Sequence, residues 1–219
     1  MSLFKVLLFA HIASGGTALF TGLISMISAK GGRIHRLAGK IFFWGMGGVF
    51  ATSLYMSIAK GNWFLFCVGF FSFYLTCSGY LVLKTKAAKV FDTIKPVYWI
   101  VCLFGFLSGV VMLGLSTGLF IRQSMFGTVP LIFGFISSGL SFLDYRILVN
   151  QVETKQVWLK SHALRMAGAF VATLTAFIVV NIQIEQQWIL WLLPTVLIIP
   201  ATRKMIDKFQ SSRSLVKER

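Results

Sequence analysis

The sequence contains little charge, and very little of that charge is negative. Only 12% of its 219 residues are charged, whereas about 25% is usual for a soluble domain. Hydrophobic residues make up 57% of the chain, and the mean hydropathy is +0.81. So few charges cannot cover a globule of this size. The composition therefore argues against a soluble enzyme, a disordered chain or a free nucleic-acid-binding domain, and it favours a multi-pass membrane protein.

Cysteine and histidine are also scarce, and the common catalytic motifs are missing. The three cysteines, Cys67, Cys77 and Cys102, lie in apolar stretches without zinc-type spacing. We therefore interpret them as small hydrophobic side chains. The sequence has no P-loop, GxSxG, HExxH or Rossmann glycine motif. Whether the protein is an enzyme stays open at this stage.

Seven apolar segments are long enough, or nearly so, for the roughly 20 residues of a membrane helix. They lie at 3–28, 38–59, 63–83, 97–118, 126–148, 163–182 and 187–203. Pro194 and Pro200 interrupt the last segment, which favours a kinked, tilted or partly interfacial helix there. We predict an all-α bundle of seven transmembrane helices as one domain, 1–203, followed by a short basic tail, 204–219.

The positive charges are concentrated in every second connection between the predicted helices, which places them on one side of the membrane. Of the 21 Lys and Arg residues, 18 belong to the 1–2, 3–4 and 5–6 connections with their flanking turns and to the tail, whereas Lys5, Lys60 and Arg122 belong to the other side. By the positive-inside rule, the N-terminus is outside and the C-terminus is cytoplasmic. The predicted partners are the lipid bilayer and its anionic headgroups, not nucleic acid, and the oligomeric state stays open.

Small and polar residues recur at helical spacing in the first six spans. The first span carries His11 and Ser14 on such a seam, and the fourth carries two GxxxG pairs, Gly105/Gly109 and Gly114/Gly118. Such seams are typical of close helix–helix contacts. We expect His11 to face other helices and to bond to a hydroxyl or carbonyl group. The alternative is a polar cavity lined by His11 and Ser14.

Three ionisable residues are expected at a similar depth near the cytoplasmic ends of their spans. They are His35, Asp144 and His162, on the second, fifth and sixth spans. Ionisable groups inside a membrane are functional candidates by default. Two imidazoles and a carboxylate could hold zinc or another divalent metal with an open coordination position. Alternatively, His35 and His162 could ligate a single haem b, with Met166 as an alternative ligand.

Neighbouring arginines provide a competing interpretation of this group. Asp144 could pair with Arg36, Arg146 or Arg165 as a structural clamp, or these arginines could bind an anionic headgroup or substrate. Three classes of function therefore remain open. They are a metal- or haem-binding membrane protein, a small transporter or lipid-binding protein, and an assembly partner without chemistry.

Two segments resemble a family of small bacterial multi-pass membrane proteins without an assigned function. They are HIASGGTALFTGLISMISAKGGRIHRLAGKIFFWGM, with a His-Arg-x-x-Gly motif at His35, and WLKSHALRMAGAFVATLTAFIVVN, with a His-x-x-Arg-Met motif at His162; LPT follows at 193–195. The resemblance covers most of the chain. It implies an integral protein of the bacterial cytoplasmic (inner) membrane and carries no activity with it.

The chain is also loosely similar to seven-span zinc hydrolases of the adiponectin-receptor and ceramidase kind. Those proteins use histidines and an aspartate near the cytoplasmic leaflet. This chain departs from them in two ways. Its predicted orientation is opposite to that of the adiponectin-receptor kind, and segment 187–203 lacks their paired histidines. The similarity is therefore an analogy of site chemistry only.

Overall fold

The computed structural model describes residues 2–86, 88–150 and 155–217, which are mostly helical and contain no strand. The helices are α1 Leu3–Ile27, α2 Arg33–Ala59, α3 Trp63–Leu81, α4 Ala88–Ile121, α5 Thr128–Asn150, α6 Lys155–Asn181 and α7 Gln187–Lys217. Each of the seven contains a stretch long and apolar enough to cross a membrane. The predicted all-α, multi-pass membrane protein with seven such helices is confirmed.

Four helices extend well beyond the apolar segments that predicted them. α2 begins at Arg33, α4 begins at Ala88, α6 begins at Lys155, and α7 continues through both of its prolines to Lys217. Hydropathy reports only the apolar middle of a helix, whereas backbone hydrogen bonds continue into the headgroup region. The predicted tail boundary at 203 is therefore not a helix end. Positions 218–219 of that tail and 151–154 of the 5–6 connection lie outside the described residues.

α3 is the central helix of the bundle. Of its most apolar stretch, 61% is buried, compared with 17% to 39% for the other six helices. It packs against α2, α4 and α6, while α1 lies against α2 and α6, and α7 lies against α6. The side of the bundle with the α1–α2, α3–α4 and α5–α6 connections and the end of α7 is called the basic end below.

Glycines allow two pairs of helices to approach closely, as the small-residue seams predicted. A Cβ atom added to Gly45 of α2 would lie 3.2 Å from the Ser14 carbonyl oxygen of α1. A Cβ atom on Gly109 of α4 would lie 2.9 Å from the Gly134 carbonyl oxygen of α5. Gly114 and Gly118 differ, because a Cβ atom on either would meet nothing within 4 Å. At about 100° per residue, the second GxxxG pair faces opposite to the first.

Phenylalanine rings fill the groove between α2 and α4 over the surface of α3. Phe50 of α2 stacks on Phe73 of α3 with ring centres 4.5 Å apart. Phe70 of α3 stacks on Phe104 of α4 at 5.4 Å. α2 and α4 do not pack directly on each other in the described ranges. These aromatic side chains therefore bridge the two helices through α3.

Candidate functional site

Asp144 is the centre of a buried polar cluster near the basic end. It is fully buried on α5, and Arg165 of α6 is 3% exposed. Tyr74 of α3 donates its hydroxyl hydrogen to Oδ2 at 2.6 Å, and Tyr98 of α4 donates to Oδ1 at 2.9 Å. Arg165 donates from Nε to Oδ2 at 3.3 Å and from Nη2 to Oδ1. One carboxylate thus connects α3, α4, α5 and α6.

This clamp, defined as Tyr74, Tyr98, Asp144 and Arg165, uses both carboxylate oxygens. A two-point guanidinium contact with two further hydroxyl donors is the arrangement that a charge pair needs away from water. Of the three arginines that the sequence offered to Asp144, Arg36 and Arg146 are exposed. The geometry therefore corresponds to the structural interpretation of Asp144.

The expected three-ligand group is not assembled in the described part of the chain. Within 2–86, 88–150 and 155–217, no three His, Cys, Asp or Glu side chains converge as metal ligands. Asp144 bonds to Arg165 because a guanidinium matches a desolvated carboxylate in both charge and shape. A metal ligand role for Asp144 would require this bidentate contact to break.

The two histidines do come together, although 127 positions separate them in the sequence. The ring centres of His35 and His162 are 6.4 Å apart, and their planes meet at 76°. Both residues are half-buried, His35 in the first turn of α2 and His162 about two turns into α6. The two rings meet although α2 and α6 do not pack on each other along their backbones in the described ranges.

Backbone carbonyl groups hold both imidazoles by the same nitrogen. His35 Nδ1 lies 2.9 Å from the Ser25 carbonyl oxygen of α1 and 3.1 Å from the Ser25 hydroxyl. His162 Nδ1 lies 2.7 Å from the Gly79 carbonyl oxygen of α3. A carbonyl oxygen can only accept, so each Nδ1 carries the hydrogen. In the neutral ring, Nε2 then holds the lone pair, which is the pattern of metal-ligating histidines.

Ser25 can anchor His35 because it lies in the last turn of α1. Carbonyl groups there have no partner within the helix. Lys30 folds back over the same turn and donates to the Ser25 carbonyl at 3.2 Å. Desolvation in this position lowers the pKa of Lys30 from its ordinary value. Ser25 thus links an imidazole and an ammonium group at the basic end.

His11 and Ser14 lie in the packed contact between α1 and α2. His11 Nδ1 is 2.9 Å from the Thr52 hydroxyl, and this hydroxyl donates to the Gly48 carbonyl at 2.7 Å. The expectation that His11 bonds to a neighbouring helix is confirmed. A Cβ atom on Gly48 would lie 2.5 Å from the Ser14 hydroxyl oxygen. The helices are therefore in close contact at Ser14, where the alternative interpretation required a polar cavity.

Sequence reasoning missed an apolar cleft between α5 on one side and α6 and α7 on the other. Its volume is about 200 Å³. It is lined by Phe71, Leu75, Phe133, Ile136, Leu140, Leu164, Gly168, Val171, Ala172, Thr195, Ile199 and Arg203. The small-residue pattern of the sixth span includes Gly168 and Ala172, and it predicted packing there. A seam on one helix does not show whether a partner helix covers its whole length.

Comparisons with protein-family models, with curated proteins and with solved structures find no match to this chain. The family resemblance of the two histidine segments therefore stays a prediction. The fold and the site define the class of the protein. It is a multi-pass membrane protein with a buried clamp and a pair of adjacent histidines on two of its seven apolar helices.

Proposed function

We propose that the protein binds a divalent transition-metal ion, with Zn²⁺ as the reference case, through His35 and His162. The observation that carries the proposal is the pair of imidazoles with ring centres 6.4 Å apart, each fixed at Nδ1 by a carbonyl group. Two neutral imidazoles with Nε2 in the lone-pair form are chemically suited to zinc, copper, iron or nickel. Asp144 is not included, because Arg165 and two tyrosines hold it.

The separation of the rings is close to that of two histidines that share one ion. Zinc lies about 2.0–2.1 Å from each nitrogen, so the ring centres of two such ligands are about 5 to 6 Å apart. The observed 6.4 Å is slightly longer than this range, so the rings would have to move closer for both nitrogens to reach one ion. Because the two ligands come from different helices, metal binding would also hold α2 and α6 together.

Two protein ligands leave coordination positions for water or for an oxygen atom of a substrate. Structural zinc sites are closed by four protein ligands, whereas reactive sites keep an open position. A two-histidine site therefore favours exchange or activation of a bound molecule over a purely structural metal. Arg165 of the clamp lies on α6, three residues after His162. The clamp would therefore help to hold the His162 imidazole against the Gly79 carbonyl.

We further propose that the histidine pair faces the cytoplasmic side of a bacterial inner membrane, with the N-terminus outside. The support is the distribution of positive charge, with 18 of 21 Lys and Arg residues belonging to the basic end and the tail. The resemblance of the two histidine segments to bacterial membrane proteins supports the same location.

Zinc binding to the purified protein tests this function. After equilibration with Zn²⁺ and removal of free ion, we expect about one zinc per chain by elemental analysis. The His35→Ala, His162→Ala double variant should lose it. His11→Ala is the matched control, because His11 is bonded to Thr52, which is about 25 Å from His35 along α2, and this variant should keep the metal.

Two outcomes would overturn the proposal. One is the absence of zinc from the wild-type protein, and the other is the same zinc content in the double variant. Adding hemin in a parallel sample tests haem b. If the wild type and His11→Ala show a Soret band and the double variant does not, the histidine pair binds haem. Haem would then replace the metal ion in the proposal.

A further inference from the structure

The cleft between α5 and α6–α7 has an aromatic end, a back wall and a basic end. α5 and α6 are joined by the Asp144–Arg165 pair but do not otherwise pack on each other in the described ranges. Phe71 and Leu75 of α3 form the back wall. Far from the basic end, Phe133 lines the cleft. Its ring centre lies 6.3 Å from that of Trp191 of α7.

The cleft runs along the helices for about half of the membrane. Thr195, Ile199 and Arg203 line it on successive turns of α7. At about 1.5 Å per residue, Thr195 and Arg203 are roughly 12 Å apart along the axis. The hydrocarbon core is about 30 Å thick, so this length approximates one leaflet. The lining is apolar except for Thr195 and Arg203, which fits a hydrocarbon chain with its polar end at Arg203.

Arg203 provides a positive charge where the cleft reaches the basic end. Asp207 lies one turn further along α7, and it pairs with Lys160 of α6 at 3.0 Å. Arg203 itself is exposed. A guanidinium group at the headgroup level binds phosphate through two parallel hydrogen bonds. The charge at this position is therefore complementary to an anionic phospholipid of the same leaflet.

We infer that one acyl chain of an anionic phospholipid occupies this cleft, with the headgroup phosphate bound to Arg203. The chain extends from Arg203 along Ala172 and Ile136 towards Phe133. This lipid site uses none of the residues of the metal proposal, so either one can fail without the other. An acyl chain would fill the space between α5 and α6, which are joined only by the Asp144–Arg165 pair in the described ranges.

Native mass spectrometry of the detergent-solubilised full chain tests the site, with dioleoyl phosphatidylglycerol and dioleoyl phosphatidylcholine as probes. We expect one phosphatidylglycerol to bind with about fivefold higher affinity, the effect of one cation near an anionic headgroup. Arg203→Gln should reduce phosphatidylglycerol binding to the level of phosphatidylcholine. Ala172→Phe, which fills the cleft, should remove tight binding of both lipids.

Val110→Phe is the control, because Val110 is exposed on α4 and does not line the cleft. It should bind both lipids as the wild type does.

If Ala172→Phe fails to give a monodisperse protein, Ile136→Trp fills the same space from α5. Equal binding of the two lipids by the wild type would contradict the inference. So would undiminished binding after the cleft is filled. Full displacement of phosphatidylglycerol by inorganic phosphate would indicate an anion site without an acyl chain.

Discussion

Asp144 illustrates what a single charged residue does when it is placed inside a membrane bundle. Its carboxylate accepts from two hydroxyl groups and from the guanidinium of Arg165. Each of these donors comes from a different helix. Desolvation makes such a pair weak evidence for net stabilisation, but it makes the loss of one partner costly. The clamp therefore specifies which helices meet and at which height.

Removing the charge of Asp144 should strongly destabilise the fold. Asp144→Asn leaves the guanidinium of Arg165 buried without its counter-charge, which costs about 3–5 kcal/mol. We expect a correspondingly lower free energy of unfolding in a detergent denaturation series. The Asp144→Asn, Arg165→Met double variant should regain part of the loss, because no charge is then left buried. A single variant as stable as the wild type would show that the pair is not coupled to folding.

At the residue scale, the sequence predicted the depth of the functional candidates but not their partners. Counting positions along each span placed His35, Asp144 and His162 near one end of the bundle. Neither spacing nor charge could show which arginine would reach Asp144. That choice depends on the rotation of α6 against α5, and it is fixed by packing on α3. The two tyrosines were missed because each one, in its own apolar segment, looks like an ordinary aromatic residue.

At the scale of the element, the two GxxxG pairs of α4 should respond oppositely to the same substitution. Gly109→Ala would place a Cβ atom 2.4 Å from the Ser138 hydroxyl and 2.9 Å from a backbone oxygen. Since backbone cannot move aside cheaply, we expect a loss of about 1–3 kcal/mol. Gly114→Ala meets nothing within 4 Å and should be neutral or slightly stabilising, since alanine favours helix.

Thermal denaturation of both glycine variants under one detergent condition checks this difference. An equal loss of stability in the two variants would contradict the assignment of one pair to the α5 contact and the other to the lipid side.

Helix positions were the most predictable feature at this scale, and helix ends were the least. Seven apolar segments gave seven helices, because the bilayer requires satisfied backbone groups over the whole apolar length. The ends differ because polar residues continue a helix into the headgroup region, as α4 does from Ala88. The nine-residue offset of the two glycine pairs implies opposite directions, and the expectation of close contacts at both pairs overlooked it.

At the scale of the whole molecule, the orientation in the membrane is a prediction from the charge distribution and is open to direct test. A green fluorescent protein fused after position 219 should fluoresce, because the C-terminus is predicted to be cytoplasmic. Alkaline phosphatase, which is active only outside the cytoplasm, should be active when inserted between α2 and α3 at Gly61. A dark but well-expressed C-terminal fusion together with an inactive insertion at Gly61 would reverse the orientation.

The arrangement of helices around α3 could not be predicted from the sequence. All seven spans are apolar, so hydropathy does not identify the buried one, and 61% burial distinguishes α3 only in the structure. The cleft depends on the same arrangement, because it exists only where α5 and α6 fail to meet in the described ranges. Contacts between distant segments, such as His35 with His162, follow from this topology.

X-ray absorption at the zinc edge of the zinc-loaded protein identifies the ligands of the bound ion. We expect two imidazole nitrogens at about 2.0–2.1 Å, with the remaining positions occupied by oxygen. Their multiple-scattering features should be absent from the His35→Ala, His162→Ala variant. A first shell of oxygen alone, or of cysteine sulfur, would contradict the assignment of these two histidines as the metal ligands.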